Sequence, residues 1–282
     1  MSGLRFTPSG SDASVLLTPD GATLMRYVFA PTTSADEAPR PFAHPVRTLA
    51  GEELTNFRPN DHPWHHALSF TIGRLGEWNF WGGPSYRRAD GYRARGDQGR
   101  QRHVAWLPAA EGELAHEIEW LAGDAVLLRE QRRLTARLES SQAWSLRWQS
   151  EFTNVSGRAL ACGNYHSAEG LVGSHYTGLQ FRGARDLLDD HGDATLGVFG
   201  PDGRAGEAAV HGVAAPWMEW RGQKDTSLRR VTVRFENIGA PLAWFVRRNN
   251  PLAAFAFQFD RDLPLLPGAG FRVEHRLVFT DA

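Results

Sequence analysis

The sequence predicts an all-β protein, a β-sandwich or supersandwich with few or no helices. Apolar and polar residues alternate with a period of two along several stretches, as they do in half-buried strands. Turn residues separate these stretches every ~8–12 positions. No long segment carries the i, i+3, i+4 apolar spacing of an amphipathic helix. The chain of 282 residues can form a sizeable core, and we expect residues 1–282 to be one β-sandwich domain.

The first part of the chain predicts a hairpin, a buried strand and a long polar excursion. Residues 14–19 and 23–30 are apolar and flank Asp20-Gly21, which is a hairpin turn signal. Residues 66–72 (HALSFTI) are apolar and partly β-branched, as in a buried strand. Residues 84–102 are rich in glycine and arginine, a composition that fits either a functional lid or a plain insertion.

Strict alternation predicts strands in the second half of the chain. The segment 113–121 places Leu114, His116, Ile118 and Trp120 on one face. Residues 125–138 form the next strand. One face of residues 143–154 then carries Trp144, Leu146, Trp148, Ser150 and Phe152. The later predicted strands are 228–236, 242–247, 253–259 and 271–279.

Charge and composition exclude several function classes. The 31 basic and 32 acidic residues nearly cancel, so we expect neither a nucleic-acid partner nor binding to an anionic membrane. No apolar run approaches the ~20 residues that span a bilayer. The N-terminal segment lacks the apolar core of a signal peptide, and a lone cysteine, Cys162, fits a reducing compartment. These features predict a cytoplasmic protein.

The densest group of chemically active side chains lies in residues 58–83 (RPNDHPWHHALSFTIGRLGEWNFWGG). Three histidines, His62, His65 and His66, occur within five positions and follow Asp61. Pro63 biases His62 towards an extended conformation, so the cluster is predicted to be a loop that leads into the strand at 66–72. Polar loops held by rigid strands are common places for binding and catalytic sites.

Metal binding is one interpretation of this cluster. His62 and His65 could share an ion, which Asp61 or His103 would complete, since imidazole suits several transition metals. The spacing matches no strong metal signature, because the chain has neither an HExxH helix nor a cysteine pair. We therefore expect no metal or other cofactor and favour hydrogen bonding or proton transfer for these histidines.

A second polar segment, residues 163–182, supplies a carboxylate for acid–base chemistry. Glu169 lies between His166 and His175 in a segment too polar to be plain core. A histidine paired with a carboxylate can move a proton at neutral pH. Glu169 and Asp61 could equally cap a turn or pair with an arginine, which is the more common role of an acidic residue.

Aromatic and basic side chains near these segments could bind a ligand. Trp64, Trp78, Trp81 and Tyr176 are candidates to stack on the apolar face of a sugar ring, although aromatic residues also fill cores. For Trp144 and Trp148, on a regular strand face, core packing is the better interpretation. Arg47, Arg58 and Arg182 could hold a carboxylate or phosphate, or pair with the nearby acids. No dinucleotide fingerprint, P-loop or GxSxG elbow occurs.

The motifs HPVRT from His44, DHPWHH from Asp61, NFWGG from Asn79 and the later EGLVGSHYTGLQFRG resemble a bacterial family of uncharacterised domains labelled methane oxygenase PmoA-like. The resemblance covers roughly residues 25–281. Ala168 stands where that family usually has threonine, and Thr177 where it usually has glycine. Particulate methane oxygenase is an integral membrane enzyme, so we expect the label to be misleading for this chain.

The resemblance implies a link to carbohydrate chemistry. Members of that family tend to accompany sugar dehydrogenases of the glucose–fructose oxidoreductase type, so a functional association with such enzymes is expected. The β-rich pattern with histidine and glutamate motifs is also similar to the supersandwich of galactose mutarotase. The order of the residues here does not copy that of mutarotases, so no mutarotase residue is assigned from the resemblance.

The leading hypothesis is a protein that performs acid–base chemistry on a sugar or keto-sugar: epimerisation, mutarotation or elimination. His65 or His66 would be the acid and Glu169 the base. The predicted substrate-binding residues are His44, Arg47, Arg58, Asp61, His62, Trp81, Tyr176 and Arg182. Two alternatives stay open, a non-catalytic carbohydrate-binding or partner-regulating domain, and a metal-dependent enzyme with its ion on His62 and His65.

Overall fold

The computed structural model describes residues 3–10, 13–19, 22–187 and 196–282, and these form two large antiparallel sheets. The first sheet has the strand order β1-β2-β3-β4-β5-β14-β20-β19-β16. Its strands are β1 (Arg5–Pro8), β2 (Ser14–Thr18), β3 (Met25–Val28), β4 (Phe42–Val46), β5 (Leu68–Ile72), β14 (Thr177–Arg182), β16 (Ala214–Ala215), β19 (Leu242–Arg247) and β20 (Leu252–Ala256). β2 and β3 pair as the predicted hairpin, while the turn at Asp20-Gly21 lies outside the described residues.

The second sheet has the strand order β15-β17-β18-β22-β12-β11-β10-β9. Its strands are β9 (Arg100–Trp106), β10 (Glu113–Ala122), β11 (Ala125–Leu138), β12 (Ala143–Asn154), β15 (Gly197–Phe199), β17 (Trp217–Gln223), β18 (Arg230–Asn237) and β22 (Gly270–Asp281). Two small sheets complete the strands, one of β6 (Arg74–Leu75), β13 (Leu160–Gly163) and β21 (Leu263–Leu265), the other of β7 (Ser85–Arg87) and β8 (Gly91–Arg93). The predicted all-β sandwich is confirmed.

The core lies between the two large sheets, because each presents one apolar face to the other. Trp120, Trp144 and Trp148 of the second sheet are fully buried in one cluster with Phe70 and Phe255 of the first. The alternation seen in the sequence therefore marks the inner face of the second sheet.

The first sheet also buries part of its outer face, which is what positions the candidate site. On β19 and β20 the residues that alternate with the core positions are Phe245, Leu252 and Ala254. These form a second apolar cluster with Trp81, which reaches them from the loop between β6 and β7. Trp64 of the histidine loop packs against the same cluster, so this loop lies over the outer face of the first sheet.

Two short helices occur in segments that carry no helical pattern. The helix α1 (Tyr165–Glu169) begins where the Asn164 side chain accepts a hydrogen bond from the Ser167 backbone, and it ends at Gly170 with φ 73°. The helix α2 (Glu207–Val210) is a single turn. Local caps of this kind define one turn of helix without any amphipathic stripe.

Candidate functional site

A cavity of about 430 Å³ lies above the outer face of the first sheet. Its residues come from the histidine loop, the loop between β6 and β7, the β7–β8 hairpin, α1 and the ends of β14, β19 and β20. They are His62, Trp64, His65, Trp81, Gly82, Pro84, Tyr92, Tyr165, Tyr176, Arg182, Arg247, Asn249, Asn250 and Leu252. In the described part of the chain, no carboxylate lines this cavity.

Aromatic rings form the walls. Trp81 and Tyr176 lie with their ring centroids 4.9 Å apart, and Tyr92, on β8 of the β7–β8 hairpin, is half exposed. Trp64 packs directly on the backbone of Gly82 and Gly83, where an added Cβ would lie 2.5–2.8 Å from atoms of the tryptophan side chain. Both glycines also have positive φ, so the Gly-Gly pair is needed for this wall.

The buried guanidinium of Arg40 holds the cavity loops to the first sheet. It donates hydrogen bonds to the carbonyl oxygens of Trp64 (2.7 Å) and Trp81 (3.1 Å) and to the Ser69 hydroxyl on β5 (3.2 Å). Burial lowers its pKa to about 9, against which the charge of Glu37 acts, so Arg40 stays protonated at neutral pH. One buried cation thus fixes two walls of the cavity.

Glu37 fixes the histidine loop from below. Its carboxylate accepts two hydrogen bonds from Arg58, at 2.9 and 3.0 Å, and one from Nε2 of His66, at 2.9 Å. Burial alone would raise the pKa of Glu37, but the hydrogen bonds from His66 and Arg58 hold it below its usual value. The ionised carboxylate can only accept, so the His66 nitrogen donates. Arg58 and His66 flank the turn that carries His62, Trp64 and His65.

His65 is the histidine of the cluster that is both buried and part of the cavity wall. Its ring meets Trp81 edge to face at 5.5 Å, and its Nδ1 is buried without a hydrogen-bond partner. Burial, with the nearby charge of Arg182, lowers its pKa well below the usual value. The imidazole is therefore neutral at neutral pH and can accept a proton.

Arg182 supplies a buried positive charge at the end of β14. Its Nη1 donates to the Asn250 carbonyl oxygen at 3.0 Å, while its Nε is buried without a hydrogen-bond partner. Among the described residues no carboxylate lies within ion-pair distance of this guanidinium, although the charge of Asp61 acts on it from farther away. Burial lowers the pKa to about 10, which leaves the group charged at neutral pH.

Arg247 lines the cavity as well, but its donors are largely occupied. It donates to the carbonyl oxygens of Gly173 and Val246 and contacts Nδ1 of His211 at 3.2 Å. A carboxylate oxygen of Glu207 lies 3.6 Å from it. Of the two arginines, Arg182 is the one with unmet hydrogen-bonding capacity.

The structure brings together some of the predicted site residues and separates others. His62, His65, Trp81, Tyr176, Arg182 and the additional candidate Trp64 line the cavity. His44, Arg47, Arg58, Asp61, His66 and Glu169 do not line it. Of the three residues predicted for acid–base chemistry, His65 lines the cavity, whereas His66 and Glu169 lie outside its lining.

Glu169 pairs with arginines, which is the alternative role that the sequence left open for it. Its carboxylate accepts hydrogen bonds from Arg74 (2.9 Å), Arg87 (3.2 Å) and the backbone of Arg88 (3.1 Å). Burial would raise its pKa, but the bonds from Arg88 and Arg87 and the charge of Arg74 hold it below the usual value. A carboxylate held ionised by these donors ties α1 to the β7–β8 hairpin.

The remaining separated residues also have structural partners. His66 is fully buried against Glu37, and burial, with the charge of Arg40, lowers its pKa to about 4. Asp61 lies 3.1 Å from Nδ1 of His62 and pairs with Arg185 at 2.9 Å on the surface. His44 contacts the Thr55 hydroxyl at 3.0 Å, and Arg47 pairs with Glu53 at 3.3 Å.

Several cavity residues were not predicted from the sequence. They are Tyr92, Tyr165, Arg247, Asn249 and Asn250, with Glu37 and Arg40 behind them. The dipeptide Asn249-Asn250 and Tyr165, which lies within the segment 163–182, are visible signals in retrospect. Glu37 lies in a Pro- and acid-containing loop, and nothing in its local sequence indicates a partner 29 positions away.

The alternative metal pair is close, but among the described residues no third ligand converges on it. The rings of His62 and His65 have centroids 5.0 Å apart. Within the described ranges, neither histidine belongs to a group of three or more histidine, cysteine or acidic side chains whose ligand atoms converge. The geometry gives this pair no preference for metal over hydrogen bonding.

Comparison with known proteins gives a family and a distant structural likeness. A search of curated proteins found no match. A solved structure titled "Putative kojibiose phosphorylase from human microbiome" aligns with 98% of this chain and 29% of its own, with a TM-score of 0.32 and 9% identity. The chain thus spans less than a third of that protein. No helix in the described part of the chain is long and apolar enough to cross a bilayer. The model of a family of unknown function (DUF6807) matches residues 14–282, and the chain belongs to this family.

Proposed function

We propose that this protein is carbohydrate-active and that its cavity performs acid–base chemistry on a sugar acid or keto-sugar acid. One observation carries the proposal: neutral His65 shares the cavity with Arg182, a buried cation that has no ion-pair partner among the described residues. A proton acceptor beside an unpaired guanidinium suits a substrate whose acidic C–H lies next to a carboxylate.

The walls favour a sugar ring. The volume of about 430 Å³ is within the range of small-molecule sites. Trp64 and Tyr176 offer partly exposed rings, backed by the buried Trp81, and these rings match the C–H face of a pyranose. Asn249 and Asn250 supply amide groups that can bond hydroxyls at the rim. Stacking faces combined with a few fixed polar groups are typical of a site that orients a polyhydroxylated ring.

The unpaired guanidinium favours an anionic substituent on that ring. Burying a charge without a partner costs free energy that a bound carboxylate would offset. Arg182 has a buried Nε without a partner, and guanidinium groups bind carboxylates through two parallel hydrogen bonds. A neutral sugar would leave this capacity unmet.

A proton-transfer step follows from these roles. Neutral His65 takes the proton from the carbon next to the carboxylate, and the electron pair of the C–H bond moves into the carboxylate as an enediolate, whose charge Arg182 stabilises. Delivery of a solvent proton to the opposite face gives the epimer, and His65 releases the proton that it took to solvent. Departure of a hydroxyl from the next carbon, with the proton that His65 took, gives the elimination product and water. No oxidant or co-reactant is required.

The test is proton NMR in D₂O with hexuronic, aldonic and keto-sugar acids and their neutral counterparts. We expect the wild type to exchange the C–H next to the carboxylate and to form product from at least one acid. In His65→Gln the exchange rate should fall by ~10²-fold or more, the usual worth of a general base. His103→Gln, which changes an imidazole on β9 outside the cavity, is the matched control.

A non-catalytic sugar-binding domain is the second candidate, and the absence of a carboxylate from the described cavity lining favours it. Saturation-transfer contacts with a sugar acid, without exchange or product, would select this function. If the wild type and Arg182→Gln both bind sugar acids no more tightly than neutral sugars, Arg182 does not bind a substrate carboxylate, and that part of the proposal is refuted. Failure of every sugar to bind would refute the carbohydrate proposal itself.

A further inference from the structure

Beside the cavity, a second group of chemically active side chains lies between α1, the loop that follows it and the end of β20. Ligand atoms of His166, His175 and Asp260 all lie within 4.8 Å of one another. Nε2 of His166 is 3.6 Å from Oδ1 of Asp260, and the two imidazole rings have centroids 4.3 Å apart. The geometry points to a divalent transition-metal site, best suited to Zn²⁺, formed by His166, His175 and Asp260.

The orientation of His175 is what a metal ligand requires. Its Nδ1 lies 3.0 Å from the carbonyl oxygen of Phe259, which can only accept, so Nδ1 carries the proton. The other ring nitrogen, Nε2, then has its lone pair free. Metal-bound histidines commonly donate their second nitrogen to a backbone carbonyl in this way. The ring also stacks on Phe259, with centroids 3.7 Å apart and planes 7° from parallel.

His166 is held by the short helix. The reciprocal hydrogen bonds between Asn164 and Ser167 fix the first turn of α1, and the His166 backbone N–H donates to the Ser174 carbonyl oxygen at 3.2 Å. This closes the loop that separates the two histidines in sequence. Nε2 of His166 faces Oδ1 of Asp260 at 3.6 Å, which is beyond hydrogen-bond distance, so this nitrogen can bind an ion placed between them.

The same contacts bring the third ligand to the group. Asn164 donates to the Phe259 carbonyl oxygen at 2.9 Å, which ties the start of α1 to the residue before Asp260. Two imidazoles with one carboxylate form a ligand set that zinc accepts, with a further position open to solvent. The Asp260 side chain is 71% exposed and can rotate. Tetrahedral zinc ligands lie roughly 3.4 Å apart, so the widest pair must close by about 1.4 Å from the present limit of 4.8 Å.

Such an ion would stabilise the wall of the cavity. Tyr165 precedes His166, Tyr176 follows His175, and both tyrosines line the cavity. An ion between the two histidines and Asp260 would join the whole segment 164–176 to the loop after β20, at 258–260. This site differs from the His62 and His65 pair and does not depend on what the cavity binds.

The test is titration of chelator-treated, full-length protein with Zn²⁺ by calorimetry, together with Co²⁺ absorption spectra to report ligand geometry. We expect one equivalent of Zn²⁺ to bind and to raise Tm. His175→Ala and His166→Ala should each weaken binding by about tenfold or more, and His62→Ala should leave it unchanged. Asp260→Asn changes an exposed side chain, so it should fold, and it should also weaken Zn²⁺ binding. It therefore tests the same site if a histidine variant fails to fold.

Two results would overturn the assignment. One is the absence of stoichiometric binding by Zn²⁺ or Co²⁺, which would leave His166 and Asp260 as an ordinary ion pair. The other is binding that survives His175→Ala and Asp260→Asn but is lost in His62→Ala, which would transfer the ion to the histidine loop. Neither readout requires a substrate, so failure here is separable from failure of the sugar-acid proposal.

Discussion

His65 and His66 are neighbours in sequence but have different partners. His65 lines the cavity with a buried nitrogen that lacks a partner, whereas His66 donates to Glu37 beneath the loop. Both are neutral at neutral pH because burial lowers each pKa. Position relative to the cavity, and not protonation state, separates the candidate base from its neighbour.

Glu37 is a positioning residue, since it holds both flanks of the histidine turn. Glu37→Gln removes the charge that accepts three hydrogen bonds from Arg58 and His66. We expect the free energy of unfolding to fall by ~2–3 kcal/mol, measured by urea denaturation at neutral pH. Glu53→Gln, at a half-exposed carboxylate that pairs with Arg47, should cost only ~0–1 kcal/mol. Equal losses in the two variants would contradict the assigned role of Glu37.

Among the elements, the β7–β8 hairpin depends on contacts that its own sequence does not reveal. It contributes Tyr92 to the cavity, and Glu169 on α1 binds both Arg87 and the Arg88 backbone. The polar excursion at 84–102 thus contributes Pro84 and Tyr92 to the cavity wall, and the Glu169 carboxylate is one of the contacts that hold it.

We expect Glu169→Gln to release this hairpin. Amide hydrogen exchange in residues 85–93 should accelerate, and the free energy of unfolding should drop by ~1–3 kcal/mol, because charge-assisted bonds to the hairpin are lost. Glu113→Gln changes a carboxylate that pairs with Arg133 on the second sheet, and should leave exchange in the hairpin unchanged. Full hairpin protection in Glu169→Gln, combined with loss of turnover, would instead support a catalytic role for Glu169.

The same elements show how much the sequence alone could predict. Alternation identified β10, β12 and β22 and the residues on their inner faces, because burial of one face imposes a period of two. The density of histidines, together with Pro63, predicted the histidine loop. Neither signal could identify Glu37 or Arg247, since their positions depend on which strands pair and which loops cover the outer face. Pairings such as β14 with β5 and β20 bring together residues far apart in sequence.

At the scale of the whole molecule, a buried polar network connects the two large sheets. Glu130 and Arg132 on β11 form an ion pair at 2.7 Å with no exposed side-chain surface, and Nη1 of Arg132 donates to the Tyr27 hydroxyl on β3 at 2.9 Å. Trp120 and Ser150 donate to the same carboxylate at 2.9 and 2.6 Å. Each of these interactions satisfies a group that would be costly to bury alone, so the network fixes the alignment of the sheets.

His275 in the same core lacks such partners and makes the fold sensitive to acid. Both of its ring nitrogens are buried without hydrogen bonds, and the ring stacks on Phe255 at 4.1 Å. Burial lowers its pKa from 6.5 to about 3. Between these values the unfolded chain binds the proton more readily than the folded one, so stability is lost as the pH falls through this window.

The variant His275→Leu removes this proton-binding group at similar side-chain volume. We measure the free energy of unfolding in urea at pH 7.5 and at pH 5. Between these two pH values we expect it to fall by about 2 kcal/mol less in the variant than in the wild type. The reason is that pH 5 lies 1.5 units below the pKa of 6.5 that His275 has in the unfolded chain. The variant should still weaken on acidification, because His66 is also buried and neutral. Parallel losses in the two proteins would show that His275 accepts a proton in the folded core, which would require it to have a partner or a route to water there.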